Sequence, residues 1–547
     1  MLRKSLSVAL CSVLLIGAPL SLSAQSSAVT PVAAEQGSAA ILPDLAAFDA
    51  FIEQTRKQFD VPGVAVAIVK DGRIVLAKGY GVRELGKPDA VNAQTQFAIA
   101  SNTKAFTAAA LAMLADEGKL SFDDRVIDHL PWFRMSDPYV TREMRIKDLL
   151  SHRSGLSLGA GDLLYWPTTT YTTQEVAQRL KDVPLSGGFR ERYAYDNILF
   201  GVAGLVVEQV SGQSFKSFLE QRFFKPLEMN STVFNSDDLR PGMNTAVGHA
   251  KSDWTRLEPV KVMSWHNVSG AGGIYSSVLD LSQWMVAQLR KGQYGSGDQR
   301  LFSAKQQQAM WSMLTPINVG TPSVPELLPT KPNFLGYGMG WQLSDYRGQR
   351  MVWHTGGWPG QVSRVTLVPD QNLGIVVLTN AEVGAAFNAV TYRALDLMLG
   401  TGSTDWNAAY GKAVAKAQAN ADESWAKHVA KRNVKLKPSL PLSRYEGTYA
   451  DPWYGDVRVF RDKGKLRIQF SKTPDLLGTL EPWQGDTFIA RWDQRWLNGD
   501  AFLTFNLDAD GQITLATMAA VSPLTDFSFD FQDLRLKPVA ADNATAK

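Results

Sequence analysis

The sequence predicts an α+β protein: an antiparallel sheet flanked by helices and carrying an inserted helical subdomain, with a small all-β barrel domain at the C-terminus. Three observations carry this expectation. β-rich runs stand at both ends of residues 45–400 with helical patterns between them, which implies a sheet assembled from two distant segments. After Met398 the composition shifts to a polar stretch rich in Ala and Lys. From Tyr445 onward short alternating runs separated by turns follow one another, the spacing of an antiparallel barrel or sandwich.

At the N-terminus, Arg3 and Lys4 precede an apolar run from Leu6 to Leu22 that ends in Ser23-Ala24-Gln25. This is the layout of a secretory signal peptide, assigned to residues 1–24, and it predicts a periplasmic or secreted protein. A retained membrane anchor fits less well because Gly17 and Pro19 interrupt the run, and no stable span is expected after its removal. The single cysteine, Cys11, lies inside this segment, so no disulfide is expected in the mature chain. Residues 25–44, rich in Ser, Ala and Val, read as a flexible tether.

Leu45 to Gln58 has a helical pattern, and the runs Gly63–Val69 and Ile74–Ala77 about Asp71-Gly72 form a hairpin signal. Helices and loops are expected from Thr141 to about Met310. Strand patterns return at Tyr337–Ser344, Met351–His354, Val362–Val368 and Ile375–Thr379. Residues 401–440 read as an exposed helical linker stopped by Pro438 and Pro441. Residues 441–537 form the barrel, and 538–547 a disordered tail.

The net charge of +3 over 547 residues argues against nucleic acid as a partner. The six histidines, His129, His152, His249, His266, His354 and His428, show no zinc spacing. Neither a metal nor a cofactor is expected, the substrate is a small molecule or a peptide, and the oligomeric state stays open.

The chemistry centres on Ser101-Asn102-Thr103-Lys104, which opens a helix apolar on every side. Residues three apart share a helix face, so the Ser101 hydroxyl and the Lys104 amine meet there. Burial disfavours the charged amine, and Lys104 could take the Ser101 proton, making an activated nucleophile. Two other strings compete. Ser424-Trp425-Ala426-Lys427 repeats the pattern, but on the polar linker, where its lysine stays solvated. Gly155-Leu156-Ser157-Leu158-Gly159 matches the nucleophile elbow of α/β-hydrolases without the preceding strand that motif needs.

Two further motifs single out the Ser101 copy: Tyr195-Asp196-Asn197, and His354-Thr355-Gly356-Gly357 in a strand. In this order they match the three signature elements of serine β-lactamases and penicillin-binding proteins. Residues from about Leu45 to Met398 resemble the class C β-lactamase-like branch of that superfamily, which includes β-lactamases, D-aminopeptidases, D-Ala-D-Ala carboxypeptidases and esterases. Asp148-Leu149-Leu150-Ser151-His152-Arg153-Ser154-Gly155-Leu156, Ser269-Gly270-Ala271-Gly272-Gly273 and Asn380 resemble the same branch. The final hundred residues, with Tyr445-Glu446-Gly447-Thr448-Tyr449, are similar to the lipocalin-like accessory domain of some such hydrolases.

The resemblance implies a β-lactamase/transpeptidase-like fold and a serine hydrolase that forms an acyl-enzyme on Ser101, with Lys104 and Tyr195 as candidate proton acceptors. It implies that Asn197 holds Lys104 and donates to a substrate amide. It puts an oxyanion hole at the backbone N–H groups of Ser101 and Gly357, and His354, Thr355, Gly356 and Gly357 at the substrate. Where β-lactamases have lysine this chain has His354. Histidine titrates near neutrality, so an efficient β-lactamase is not expected. Activity on carboxylate-bearing substrates should depend on His354 protonation. The substrate is expected to be a D-amino acid peptide, of carboxypeptidase type, or an ester, with weak β-lactamase activity at most, and the choice among D-peptide, ester, lactone and β-lactam stays open; the alternative is a penicillin-binding or sensor protein that acylates without turnover. His152 is expected to have a structural hydrogen-bonding role. Tyr165 and Trp166 are candidate cleft walls, and Trp483, Trp492 and Trp496 are read mainly as barrel core.

Overall fold

The computed structural model describes residues 45–402 and 404–540. The signal-peptide and tether assignments, Cys11 and the tail beyond residue 540 lie outside the described residues. The α+β expectation holds.

The first helix, α1 (Leu45–Gln58), leads into the hairpin of β1 (Gly63–Lys70) and β2 (Arg73–Gly81). Asp71 and Gly72 both take positive φ at its tip, as a two-residue hairpin turn of the favoured hand requires. The chain then leaves the sheet for α2 (Thr103–Asp116), α3 (Ile198–Ser211), α4 (Val278–Leu289) and the loops between them. It returns as β3 (Thr315–Pro316), β4 (Leu335–Tyr337), β5 (Gln342–Tyr346), β6 (Gln349–Trp358), β7 (Gln361–Val368) and β8 (Leu373–Thr379). The eight strands run in the order β2-β1-β8-β7-β6-β5-β4-β3. The two ends of the domain meet in the antiparallel β1–β8 pair, with Val64 opposite Thr379 and Lys70 opposite Leu373.

Strand β1 is buried along nearly its whole length because both faces of the sheet are covered, which explains its unbroken apolar sequence. Val64, Val66 and Ile68 pack with α1 and with α5 (Gly384–Leu399). The smaller Ala65 and Ala67, with Val69, face the opposite layer, where α2 and α4 lie. Asn380, just past β8, accepts from the Gly63 N–H at 2.6 Å and donates to the carbonyls of Val82 and Arg83. It ties the two chain segments at the sheet's end.

The linker is a single helix, α6 (Trp406–Lys431). Ser424 lies on it, and Lys427 pairs with Glu423 on its exposed surface, so the second Ser-x-x-Lys copy is surface. Beyond it, strands from Gly447 to Ala520 follow one another as an antiparallel meander. Lys537–Pro538 returns beside Gly447–Asp451, and Leu536 bridges to Ala516 on the last strand. The result is a nearly closed eight-stranded barrel, filled by the inward side chains of each strand, such as Leu466, Ile468 and Phe470.

The barrel docks on two stretches of the first domain, residues 157–179 and, through Arg495 with Asp253 and Asn498 with the Lys251 carbonyl, residues 251–254. Tyr171 Oη donates to the Tyr454 carbonyl at 2.6 Å, Arg179 donates to the Trp453 carbonyl at 2.9 Å, and the Thr170 N–H reaches Lys472. The Ser157 hydroxyl donates to Asp533 at 3.2 Å, so the serine of the Gly-x-Ser-x-Gly string serves this domain contact. Among the described residues no single helix is long and apolar enough to cross a membrane.

Candidate active site

Ser101 sits in a turn of 3-10 helix, Ala100–Asn102, that feeds α2. Ala100 takes φ 47°, a left-handed conformation that costs an L-residue roughly 1 kcal/mol or more and that a small side chain tolerates best. The turn is held from beneath: the Ile99 carbonyl accepts from the Ser363 hydroxyl at 2.8 Å, and Asn102 Nδ2 donates to the same hydroxyl at 2.9 Å. Gly356 of β6 lies directly behind, where a Cβ would come within 2.2 Å of the Ile99 carbonyl oxygen. Gly356 thus permits the close approach of β6 to the nucleophile turn and is absent from the cleft wall, whereas Gly357 faces the cleft with open space over its Cα.

Lys104 is fully buried. Its Nζ has three oxygen neighbours: Ser101 Oγ at 3.0 Å, Asn197 Oδ1 at 2.7 Å and the Ala271 carbonyl at 3.0 Å. Two of these can only accept. A neutral amine therefore spends both its hydrogens on Asn197 and Ala271, and its lone pair is left facing the Ser101 hydroxyl. Burial lowers the Lys104 amine to about 7, against the opposing pull of the Asp162 and Asp196 charges. The Lys104 Nζ also lies 4.8 Å from the centroid of the Tyr195 ring and 5.3 Å from that of Phe200.

The Tyr195 phenol is in hydrogen-bonding contact with Ser101, but burial holds it well above the usual tyrosine range. It is a proton donor at neutral pH, not a phenolate, so of the two candidate bases the amine is the one free to accept. His152 performs the structural role expected of it. Its Nδ1 accepts from the Asp196 N–H at 3.1 Å, and its ring packs 4.2 Å from that of Tyr195.

Asn197 precedes α3 without capping it through its side chain. Its amide oxygen takes the Lys104 hydrogen, and one amide N–H goes to Asp162 Oδ2 at 2.9 Å, which leaves the other toward the cleft. Asp162 is fully buried, and burial raises its carboxyl to about 8. Its Oδ2 also accepts from Ser528 of the barrel at 2.8 Å. Sequence reasoning missed this pair, because nothing around Asp162 or Ser528 forms a motif.

His354 differs from expectation. Its ring is buried, Nδ1 lies 2.6 Å from the Thr355 carbonyl and Nε2 lies 2.8 Å from the Tyr337 phenol. A carbonyl can only accept, so Nδ1 carries the proton and Nε2 accepts from Tyr337. Burial, then the charge of Lys104, lowers the imidazole to about 3. His354 is neutral at physiological pH and, contrary to the expectation from the sequence, does not titrate near neutrality.

Ser101, Tyr195, Asn197, His354, Thr355 and Gly357 line one cleft of about 230 Å³. Its other walls are Trp166, Trp265 and Gln342 from the first domain and Asp526, Phe527 and Ser528 from the barrel. Of the two aromatic candidates, Trp166 is a wall and Tyr165 is wholly buried. Trp492 is barrel core, Trp483 packs 5.4 Å from Trp425 of α6, and Trp496, read as core, instead lines a chamber beside the cleft with Trp166 and Trp358. Among the described residues no group of three or more His, Cys, Asp or Glu could hold a metal ion.

A family model described as Beta-lactamase matches residues 48–399, and one described as a domain of unknown function (DUF3471) matches residues 431–538. The chain is 28% identical over 480 residues to unguisins hydrolase ungD' of Aspergillus campestris, spanning 81% of this chain and 83% of that one. It is 28% identical over 334 residues to protein flp of Staphylococcus aureus, spanning 61% and 62%. Among solved structures, the octameric penicillin-binding protein homologue from Pyrococcus abyssi is similar in fold, with a TM-score of 0.56 and 22% identity over 90% of this chain and 99% of that one. SurE has a TM-score of 0.51 and 19% identity, over 90% of this chain and 98% of its own.

Proposed function

Because the chain belongs to the beta-lactamase family, we propose that it is an exported serine hydrolase that cleaves an amide or ester bond through an acyl-enzyme on Ser101. The observation that carries this reading is the Lys104 amine, whose two fixed acceptors turn its lone pair toward the Ser101 hydroxyl. As Ser101 Oγ bonds to the substrate carbonyl carbon, its proton passes to Lys104. The N–H groups of Ser101 and Gly357 hold the oxyanion. The tetrahedral centre collapses with loss of the amine or alcohol, which takes a proton from the Tyr195 phenol. Water then attacks the acyl group, giving a proton to the Tyr195 phenolate, and the bond from the acyl carbon to Ser101 Oγ breaks as the Lys104 ammonium returns its proton to that oxygen, restoring the starting Tyr195 and Lys104 pair.

A neutral His354 gives the cleft no fixed cation for a substrate carboxylate, so esters, and D-amino acid peptides whose carboxylate lies away from the cleft, suit it better than β-lactams, on which it is at most weakly active. Unguisins hydrolase ungD', matched over 81% of this chain, carries hydrolase in its name, which supports turnover over a penicillin-binding or sensor role. Export rests on the signal-like residues 1–24.

The test is a panel of p-nitrophenyl esters, D-amino acid anilides and a chromogenic cephalosporin on wild type, Ser101→Ala and Ser157→Ala. Steady release of product from wild type and Ser157→Ala, with none from Ser101→Ala, is expected. A single stoichiometric burst would assign the sensor role, and activity retained in Ser101→Ala would overturn the reading.

A further inference from the structure

The barrel reaches the nucleophile through an unbroken line of side chains. Ser528 Oγ donates to Asp162 Oδ2 at 2.8 Å, Asn197 Nδ2 donates to the same oxygen at 2.9 Å, Lys104 Nζ donates to Asn197 Oδ1 at 2.7 Å, and Lys104 meets Ser101 Oγ at 3.0 Å. All these side chains are buried. A second grip comes from Asp530, two residues further along the same barrel segment. Its two carboxylate oxygens accept from the N–H groups of Gly161 at 2.6 Å and Leu163 at 3.1 Å. These hold both sides of the turn that presents Asp162. Phe527, the neighbour of Ser528, lines the cleft with its ring 6.0 Å from that of Tyr195.

We infer that Ser528 and Asp162 are positioning residues for the Ser101–Lys104 centre, so that the C-terminal barrel is a working part of the active site. The inference rests on the acyl-enzyme reading above. Lys104 and Asp162 can hold one proton in two ways, as ammonium with carboxylate or as amine with carboxylic acid, and only the second leaves Ser101 a base. Donors to Asp162 favour its carboxylate, and that charge favours the ammonium. The other ionisable groups facing this pair are Asp196, His152, His354, Tyr195, Tyr165 and Asp530. Losing the Ser528 donor shifts the balance toward the amine, and the acid limb of acylation moves to lower pH. It also loosens Asn197, and with it the aim of Lys104.

The experiment uses the full chain with Ser528→Ala, Ser528→Thr and Asp162→Asn, each checked for folding by thermal melting. The burst phase of p-nitrophenyl ester hydrolysis gives acylation from pH 5 to 9. Ser528→Ala should lower the plateau about threefold to tenfold, the worth of one buried hydrogen bond, and move the acid limb down in pH. Asp162→Asn should move it at least as far, and Ser528→Thr should resemble wild type. A uniform loss with an unmoved limb, a profile unchanged in both Ser528→Ala and Asp162→Asn, or a Thr variant no better than Ala overturns the inference. Failure of the underlying reading is distinguishable, since Ser101→Ala would then keep its burst.

Discussion

The phenol of Tyr337 lies 2.8 Å from Nε2 of His354, and a carbonyl occupies the other ring nitrogen. The imidazole is thereby fixed as a neutral acceptor inside the strand that forms one wall of the cleft.

From this follows a pH prediction. With His354 lowered to about 3 by burial and the Lys104 charge, its ring stays uncharged from pH 5 to 8. The pH profiles of kcat/KM for a carboxylate-bearing ester and a neutral ester should superimpose across that range. Profiles that part near pH 6 would show that the ring charges in the substrate complex.

Lys104 sets the acid limb. Its amine is lowered to about 7 by burial, so the free base is present above that pH and lost below it, and acylation should fall as pH drops through 7. Lys104→Arg, whose guanidinium cannot lose a proton, should reduce acylation about 10²- to 10⁴-fold above pH 7, with the deficit shrinking at lower pH as the wild-type amine protonates, as read by burst kinetics. Tyr195→Phe keeps the ring over Lys104 but removes the proton donor. It should slow turnover by about 10²-fold or more while its melting temperature stays near that of wild type.

The two glycines after Thr355 should behave differently. Gly356→Ala would drive a Cβ to 2.2 Å from the Ile99 carbonyl and 2.5 Å from Ser363 Oγ, displacing the turn that carries Ser101. A stability loss of about 1–3 kcal/mol with a larger proportional loss of acylation is expected in denaturant and burst measurements. Gly357→Ala meets open space, so stability should hold and KM should rise as the new methyl enters the cleft.

Asp148 is wholly buried and holds Arg153 at 2.8 Å and Arg190 at 2.6 Å, while Ser154, just after Arg153, donates to Asp196. Asp148→Ala leaves two partly buried guanidinium groups unmatched, and should cost about 3–5 kcal/mol in chemical denaturation. Because the segment also bears His152, which packs on Tyr195, the residual folded protein should acylate more slowly.

The sequence alone was enough to read the local relationships. The Asp71-Gly72 hairpin, the apolar strands that close the sheet from both ends, and the one-turn spacing of Ser101 and Lys104 are set by periodicity and turn chemistry within a few residues. The ordered motifs at Ser101, Tyr195 and His354 could be read because each is a short string, and the fold brings Ser101, Tyr195 and His354 to one cleft.

Only the tertiary structure decided the protonation and the far side of the site. The Asp162–Ser528 contact joins residues 366 apart in the chain, and no local pattern marks either one. His354 reads as a titrating group in a string of letters, yet burial beneath Tyr337 removes its charge. Desolvation and long-range contacts depend on what the folded chain places around a residue, and this information is carried by the packing of both domains, with the barrel supplying one wall of the cleft.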